Sequence, residues 1–142
     1  MDIDGIKLEV IKVKVEESIW FDICYKNFDE IREQLKDNEI DPNYEKEGSP
    51  LLILIAQTME IDIAEEFIKR GGDVNIRDKY GNTPIIKAVS NYSKKKYKDD
   101  SMIKLLLKYG AKMDIENYSK VSAKHLAHIA KECSGQDLEW MR

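Results

Sequence analysis

Hydrophobic positions in the centre of the chain recur at spacings of three and four, the mark of helices that bury one face. Ile85, Ala88 and Val89 form one such stripe, and Met102, Ile103, Leu106 and Leu107 form a second. The residues around them punctuate a helix pair. Gly81 supplies the positive φ that a tight turn needs, Thr83 caps the first helix, and Pro84 stands at its first position, where a missing N–H costs nothing. Gly110 closes the second helix in a left-handed cap. A pair of this kind has apolar surface on both flanks and needs neighbours to cover it. The first fifteen residues follow another rhythm. Ile6, Leu8 and Val10 alternate with polar residues, then Ile11, Val13 and Val15 alternate in the opposite phase. Alternation with β-branched residues predicts a short extended segment, a strand laid against the first helix pair.

The neighbours are present as repeats. Ser49-Pro50-Leu51 returns as Thr83-Pro84-Ile85, 34 positions on. Phe67-Ile68-Lys69-Arg70-Gly71-Gly72-Asp73-Val74-Asn75 returns as Leu106-Leu107-Lys108-Tyr109-Gly110-Ala111-Lys112-Met113-Asp114, at a shift of 39. The same shift carries Thr83-Pro84-Ile85-Ile86-Lys87-Ala88 onto Ser122-Ala123-Lys124-His125-Leu126-Ala127. A weaker copy comes first, with Ile31, Leu35, Asp41 and Asn43 lying 32 positions before Ile63, Phe67, Asp73 and Asn75. Periods of roughly 20–50 residues indicate stacked repeat architectures.

Asp78-Lys79-Tyr80-Gly81-Asn82-Thr83-Pro84-Ile85, closed by Leu105-Leu106-Leu107-Lys108-Tyr109-Gly110-Ala111, resembles an ankyrin repeat. The resemblance extends over roughly residues 16–142. It implies an all-α ankyrin-repeat solenoid of about four stacked helix-turn-helix units with projecting turns. The units expected are a cap over 16–45, then 46–77, 78–115 and a second cap over 116–142, with residues 1–15 as an N-terminal extension. Three departures modify that expectation. The third unit holds about six residues more than the ~33-residue period requires, predicting an enlarged loop over 91–100. Leu54 and Ile55 stand where the family prefers small alanines, which predicts wider helix spacing or a bend there. In the last unit Lys124 replaces a core leucine and no glycine precedes Ser122, as suits a terminal unit with one side facing water.

Composition narrows the function. The chain has 142 residues, one domain's worth, and its 27 acidic and 23 basic residues give a net charge of −4. That balance argues against nucleic acid as a partner, since gripping phosphates favours a strongly basic face. Leu51 to Ala56 is the longest apolar run, far short of the ~20 residues that cross a bilayer, so no membrane role is expected. The acidic start, Met1-Asp2-Ile3-Asp4-Gly5, lacks the positive charge of a secretory signal. Cys24 and Cys133 read as free thiols, and a cytoplasmic location is expected.

Candidate chemistry is sparse. His125 and His128 stand three apart, with Glu132 and Cys133 nearby, but a closed zinc site wants four well-spaced ligands. The resemblance gives His125 a structural role instead, bonding to a neighbouring repeat's turn. Glu65-Glu66 and Asp99-Asp100 fall on predicted solvated surfaces, and phosphate-binding loops, nucleophile elbows and His-Glu-x-x-His pairs are missing. The chain is therefore expected to be no enzyme, with no catalytic, cofactor-binding or metal-binding residues. Lys94-Lys95-Lys96-Tyr97-Lys98 reads as a solvated loop, with contact to an acidic protein as the second reading.

What remains is what the resemblance implies: ankyrin stacks bind proteins through a row of turns, the fingers, and a palm of inner helices. Carried over by position, the contacts are Lys79, Tyr80 and Asn82 on the best finger and Ser90 and Asn91 on its palm. Lys46 and Glu47 hold the preceding finger, and Tyr118 and Ser119 the following one. Rigid aromatics with polar tips make Tyr80 and Tyr118 the leading anchors. Small acidic ankyrin proteins resemble bacterial immunity proteins that occlude a cognate toxin. A basic nuclease would complement the net charge. A generic intracellular adaptor or regulatory subunit is the alternative, and the unbound chain is expected to be a monomer.

Overall fold

The computed structural model describes residues 15–94 and 99–134. Its elements are α1 (15–24), α2 (Phe28–Asp37), β1 (Glu45–Lys46), β2 (Ser49–Pro50), α3 (Leu51–Ile55), α4 (Ile61–Lys69), α5 (Pro84–Lys94), α6 (Ser101–Lys108) and α7 (Ala123–Ser134). Helices α3 and α4 pack as a pair, as do α5 and α6. An inner row runs α3–α5–α7, and α4 lies beside α6 in an outer row. The described residues thus hold three successive helix pairs and a seventh helix.

The repeat offsets explain why these helices stack. In the outer row Ile31 and Leu35, Ile63 and Phe67, and Met102 and Leu106 are buried at successive equivalent positions. In the inner row the same holds for Ile19 and Ile23, Leu51 and Ile55, and Ile85 and Val89. Each such side chain contributes about 1.5–3 kcal/mol when fully buried, and none could be covered by one pair alone. The series changes at α7, where the next equivalents are Lys124 and His128, both exposed. Buried Ala123 and Ala127, on another face of the same helix, let α7 approach α5 closely. So α7 seals the flank of the third pair and presents polar groups where the earlier helices present core.

Two features differ from the sequence reading. Helix α5 continues to Lys94, so residues 91–94, expected in a loop, are helical. Val89 and Tyr92 still point a buried face inward there, and the Ser93 hydroxyl donates to Val89 O (3.0 Å). Residues 95–98 of the lysine run lie outside the described residues. The turn before α3 also departs from the all-α expectation. β1 and β2 pair antiparallel, joined by Glu47 (φ 54°) and Gly48 (φ 76°), the double positive φ of a two-residue hairpin. Residues 1–14 of the expected strand lie outside the described residues, and residue 15 already belongs to α1.

Candidate functional site

Three turns project ahead of α3, α5 and α7, and hydrogen bonds fix their shape. In the second of them Asp78 Oδ1 accepts from the backbone N–H groups of Tyr80 and Asn82, both at 2.9 Å. Asp78 N donates to Asn82 O (3.0 Å), and Gly81 N returns to Asp78 O (2.9 Å). Successive turns are joined through their backbones. Lys79 N donates to Gly48 O (2.9 Å), and Tyr118 N donates to Tyr80 O (3.0 Å). Side chains close the same gaps, since a Cβ on Gly48 would sit 2.7 Å from Lys79 Cβ and one on Gly81 would sit 2.8 Å from the Tyr118 ring. The fingers form a continuous, rigid row.

That row carries most of the expected contact residues on its surface. Tyr80 is 60% exposed and Tyr118 68% exposed. Lys79, Glu47 and Ser119 are exposed, and Lys46 is half-buried with its ammonium 3.7 Å from Glu17. Asn82 is a correction. Expected at the surface, it is only 8% exposed, because its side chain serves the turns: Oδ1 accepts from Asn117 Nδ2 (2.8 Å) and Nδ2 reaches Asp78 Oδ2 (3.4 Å). Its role is to join two fingers.

The palm follows from the burial of the inner helices. On α5 the positions left open include Lys87, Ser90, Asn91 and Lys94, spaced three and four apart, while Ile85, Ile86, Ala88 and Val89 are buried. Asn91 Nδ2 donates to Gln57 O (3.0 Å), which brings the corresponding stripe of the second unit into line. Sequence reasoning missed the palm of the first unit. Phe21 and Tyr25 on α1 are exposed and stacked, with centroids 6.5 Å apart, and the Lys46 ammonium lies 5.6 Å from the Phe21 centroid. Tyr25 stands 32 positions before Gln57, so the repeat offset could have found it. Ile129, exposed on α7, is likewise 39 after Ser90.

The opposite side is a surface of ion pairs. Arg32 of α2 bonds Glu60, Asp62 (2.7 and 2.9 Å) and Asp29 (2.9 Å). The hydrogen bonds from Arg32 hold the Asp62 carboxyl below its ordinary pKa, and Asp62 and Glu60 in turn raise that of the guanidinium. Glu65 and Glu66, expected on a free solvated surface, are half-buried in the outer row. Glu66 holds Arg70 (2.7 Å), and Glu65 accepts from the Tyr109 hydroxyl (2.7 Å), which lowers the Glu65 pKa and raises that of Tyr109. Glu65 thereby ties α4 to the end of α6, whereas Glu66 pairs within the end of its own helix.

His125 also differs from expectation. It bonds within its own unit: Ser122 Oγ lies 3.0 Å from His125 Nδ1 and accepts from His125 N–H (3.1 Å). A Ser at the N-cap gains a second partner at the end of the first turn. His128 is exposed beside it, whereas the side chains of Glu132 and Cys133 lie outside the described residues. Among the described residues no three His, Cys, Asp or Glu side chains gather as metal ligands, and no helix is long and apolar enough to cross a membrane.

Known proteins place this architecture. Residues 20–117 match the ankyrin-repeat family in three copies. The fowlpox virus (strain NVSL) ankyrin repeat protein FPV244 is 33% identical over 104 residues, which are 71% of this chain and 15% of that protein. A second protein of the same virus, FPV024, is 32% identical over 74 residues, 52% of this chain and 12% of its own length. The chain therefore spans a small part of these relatives. With stacked helix pairs, hydrogen-bonded fingers and three matched copies across more than half of its length, the chain belongs to the ankyrin-repeat family.

Proposed function

We propose that this chain is a protein-binding module that works without catalysis, by occupying a partner's surface with its fingers and inner helices. The observation that carries the reading is the pair Tyr80 and Tyr118: two exposed aromatic side chains on adjacent turns whose backbones are hydrogen-bonded to each other. An exposed tyrosine on a rigid support can bury a large area at little entropic cost. Lys46, Glu47, Lys79, Ser90, Asn91 and Ser119 frame the contact. Asn82 supports it from beneath.

Capture of the partner from the native host, followed by titration of purified components, tests the face. Tyr80→Ala is expected to weaken binding by more than ~1 kcal/mol with helix content and melting temperature unchanged. Equal affinity of the variant and the parent would remove the finger row from the interface. A narrower reading, an immunity protein that blocks a cognate toxin, is supported by the family resemblance alone. A toxin gene beside this one, and loss of toxicity on co-expression, would establish it. Without such a neighbour the adaptor reading stands.

A further inference from the structure

Charge is not spread evenly over this acidic chain. Carboxylates dominate helices α2 and α4, where Asp29, Glu30, Glu33, Asp62, Glu65 and Glu66 lie. Helix α5 has none, and neither has α7 as far as Lys131. The finger-and-palm face of the third and fourth units instead carries Lys79, Lys87, Lys94 and Lys120. Lys79 rests its ammonium 5.3 Å from the Tyr80 centroid, and none of the four pairs with a carboxylate among the described residues. On the first and second units the same face is aromatic, with Phe21 and Tyr25 beside Lys46. A net charge of −4 thus conceals a lysine-rich patch on the fingers and palm of the third and fourth units.

We propose that the partner docks a carboxylate-rich protein segment, with apolar side chains interspersed, across this face. The inference rests on the finger-and-palm reading and names the chemistry of what it takes. Unpaired ammonium groups around exposed tyrosines attract carboxylates over about a Debye length and lose that attraction as salt rises. A basic protein would meet like charge there. Nucleic acid fits less well than protein, because the four lysines are confined to the third and fourth units, with Glu45 and Glu47 on the finger of the second, and a long phosphate backbone favours a continuous basic face.

Titration of the full chain, followed by amide NMR, separates the location from the sign. Three probes are used: a short peptide of glutamates punctuated by leucine and tyrosine, the same peptide with lysine for every glutamate, and a single-stranded oligothymidylate. The acidic peptide is expected to shift amides of the fingers and of α5. Its affinity should fall about ten-fold or more in Lys87→Glu/Lys120→Glu, and comparably from low to high salt. Tighter binding of the lysine peptide or the oligonucleotide at those same amides overturns the proposed partner and leaves the face in place. Shifts confined to α2 and α4 overturn the face itself. Absence of any shift with the acidic peptide at millimolar concentration overturns the proposal, as does unchanged affinity in the double variant with the fold intact.

Discussion

The fingers before α5 and before α7 have the same backbone built from different residues. Asp78 and Asn117 stand 39 apart, and each side-chain oxygen accepts from the N–H groups two and four residues on. Each turn also closes with the same two backbone bonds, Asp78 N to Asn82 O and Gly81 N to Asp78 O in one, Asn117 N to Val121 O and Lys120 N to Asn117 O in the other. At the left-handed position the first uses Gly81 (φ 79°) and the second Lys120 (φ 66°). An L-residue there costs about 1–2 kcal/mol relative to its normal region, yet the turn forms. Four hydrogen bonds and a neighbouring finger outweigh the strain. The acceptor at the first position therefore matters more than the glycine.

The largest effect should come from deleting that acceptor. Asp78→Ala is expected to lower stability by about 2–3 kcal/mol, because two backbone donors lose a charged partner. Asn117→Ala should lower it by about 1–2 kcal/mol, with a neutral acceptor in a more exposed turn but also a lost donor to the buried Asn82 Oδ1. Urea denaturation of both measures the difference, and equal losses would show that charge and burial do not distinguish the turns. Next in size is the glycine position. Gly81→Ala should lower stability by about 1–2 kcal/mol, since it adds left-handed strain and drives a Cβ into the Tyr118 ring. Lys120→Ala should be neutral within about 0.5 kcal/mol, and Lys120→Gly should raise stability by about 0.5 kcal/mol, the relief of strain being partly offset by greater unfolded-state entropy. Thermal melts read both.

Smaller still is the cap of α7. Ser122→Ala removes the acceptor for His125 N–H and the partner of Nδ1, and should cost about 1 kcal/mol or less. A comparably small effect lies on the acidic outer surface and supplies a reference for both fingers. The Asp62 carboxyl is lowered by Arg32, so its contribution is present above the unfolded pKa and is lost as pH falls through the folded one. The side chain is 64% exposed, and the contribution should be ~0.5 kcal/mol at most. Stability curves of the parent and Asp62→Asn should accordingly converge at low pH; curves that remain parallel would show that the bridge is fully screened.

The helix pairs and their order were legible in the sequence because each unit buries the same positions, and hydrophobic periodicity survives even where single residues change. Phe67 follows Leu35 and precedes Leu106 at the offsets the repeats predict, and all three are buried. Asn82 departs from the surface position its sequence implies, because an amide at a turn looks the same whether it faces water or the next finger. Only the position of Asn117 in space turns it inward. Phe21 and Tyr25 are hard to place from sequence because the first unit matches the repeat weakly, although the 32-residue offset to Gln57 reaches Tyr25.

By itself, then, the sequence determined the repeat, the caps and turns of its best copy, and the total charge, all of which depend on residues close together or on a fixed period. The tertiary structure decided how charge divides between faces, which half-polar residues are spent on joining units, and how far α5 extends. Those depend on which elements lie side by side, and two lysines with the same neighbours in sequence can face an ion pair or open water according to the helix opposite.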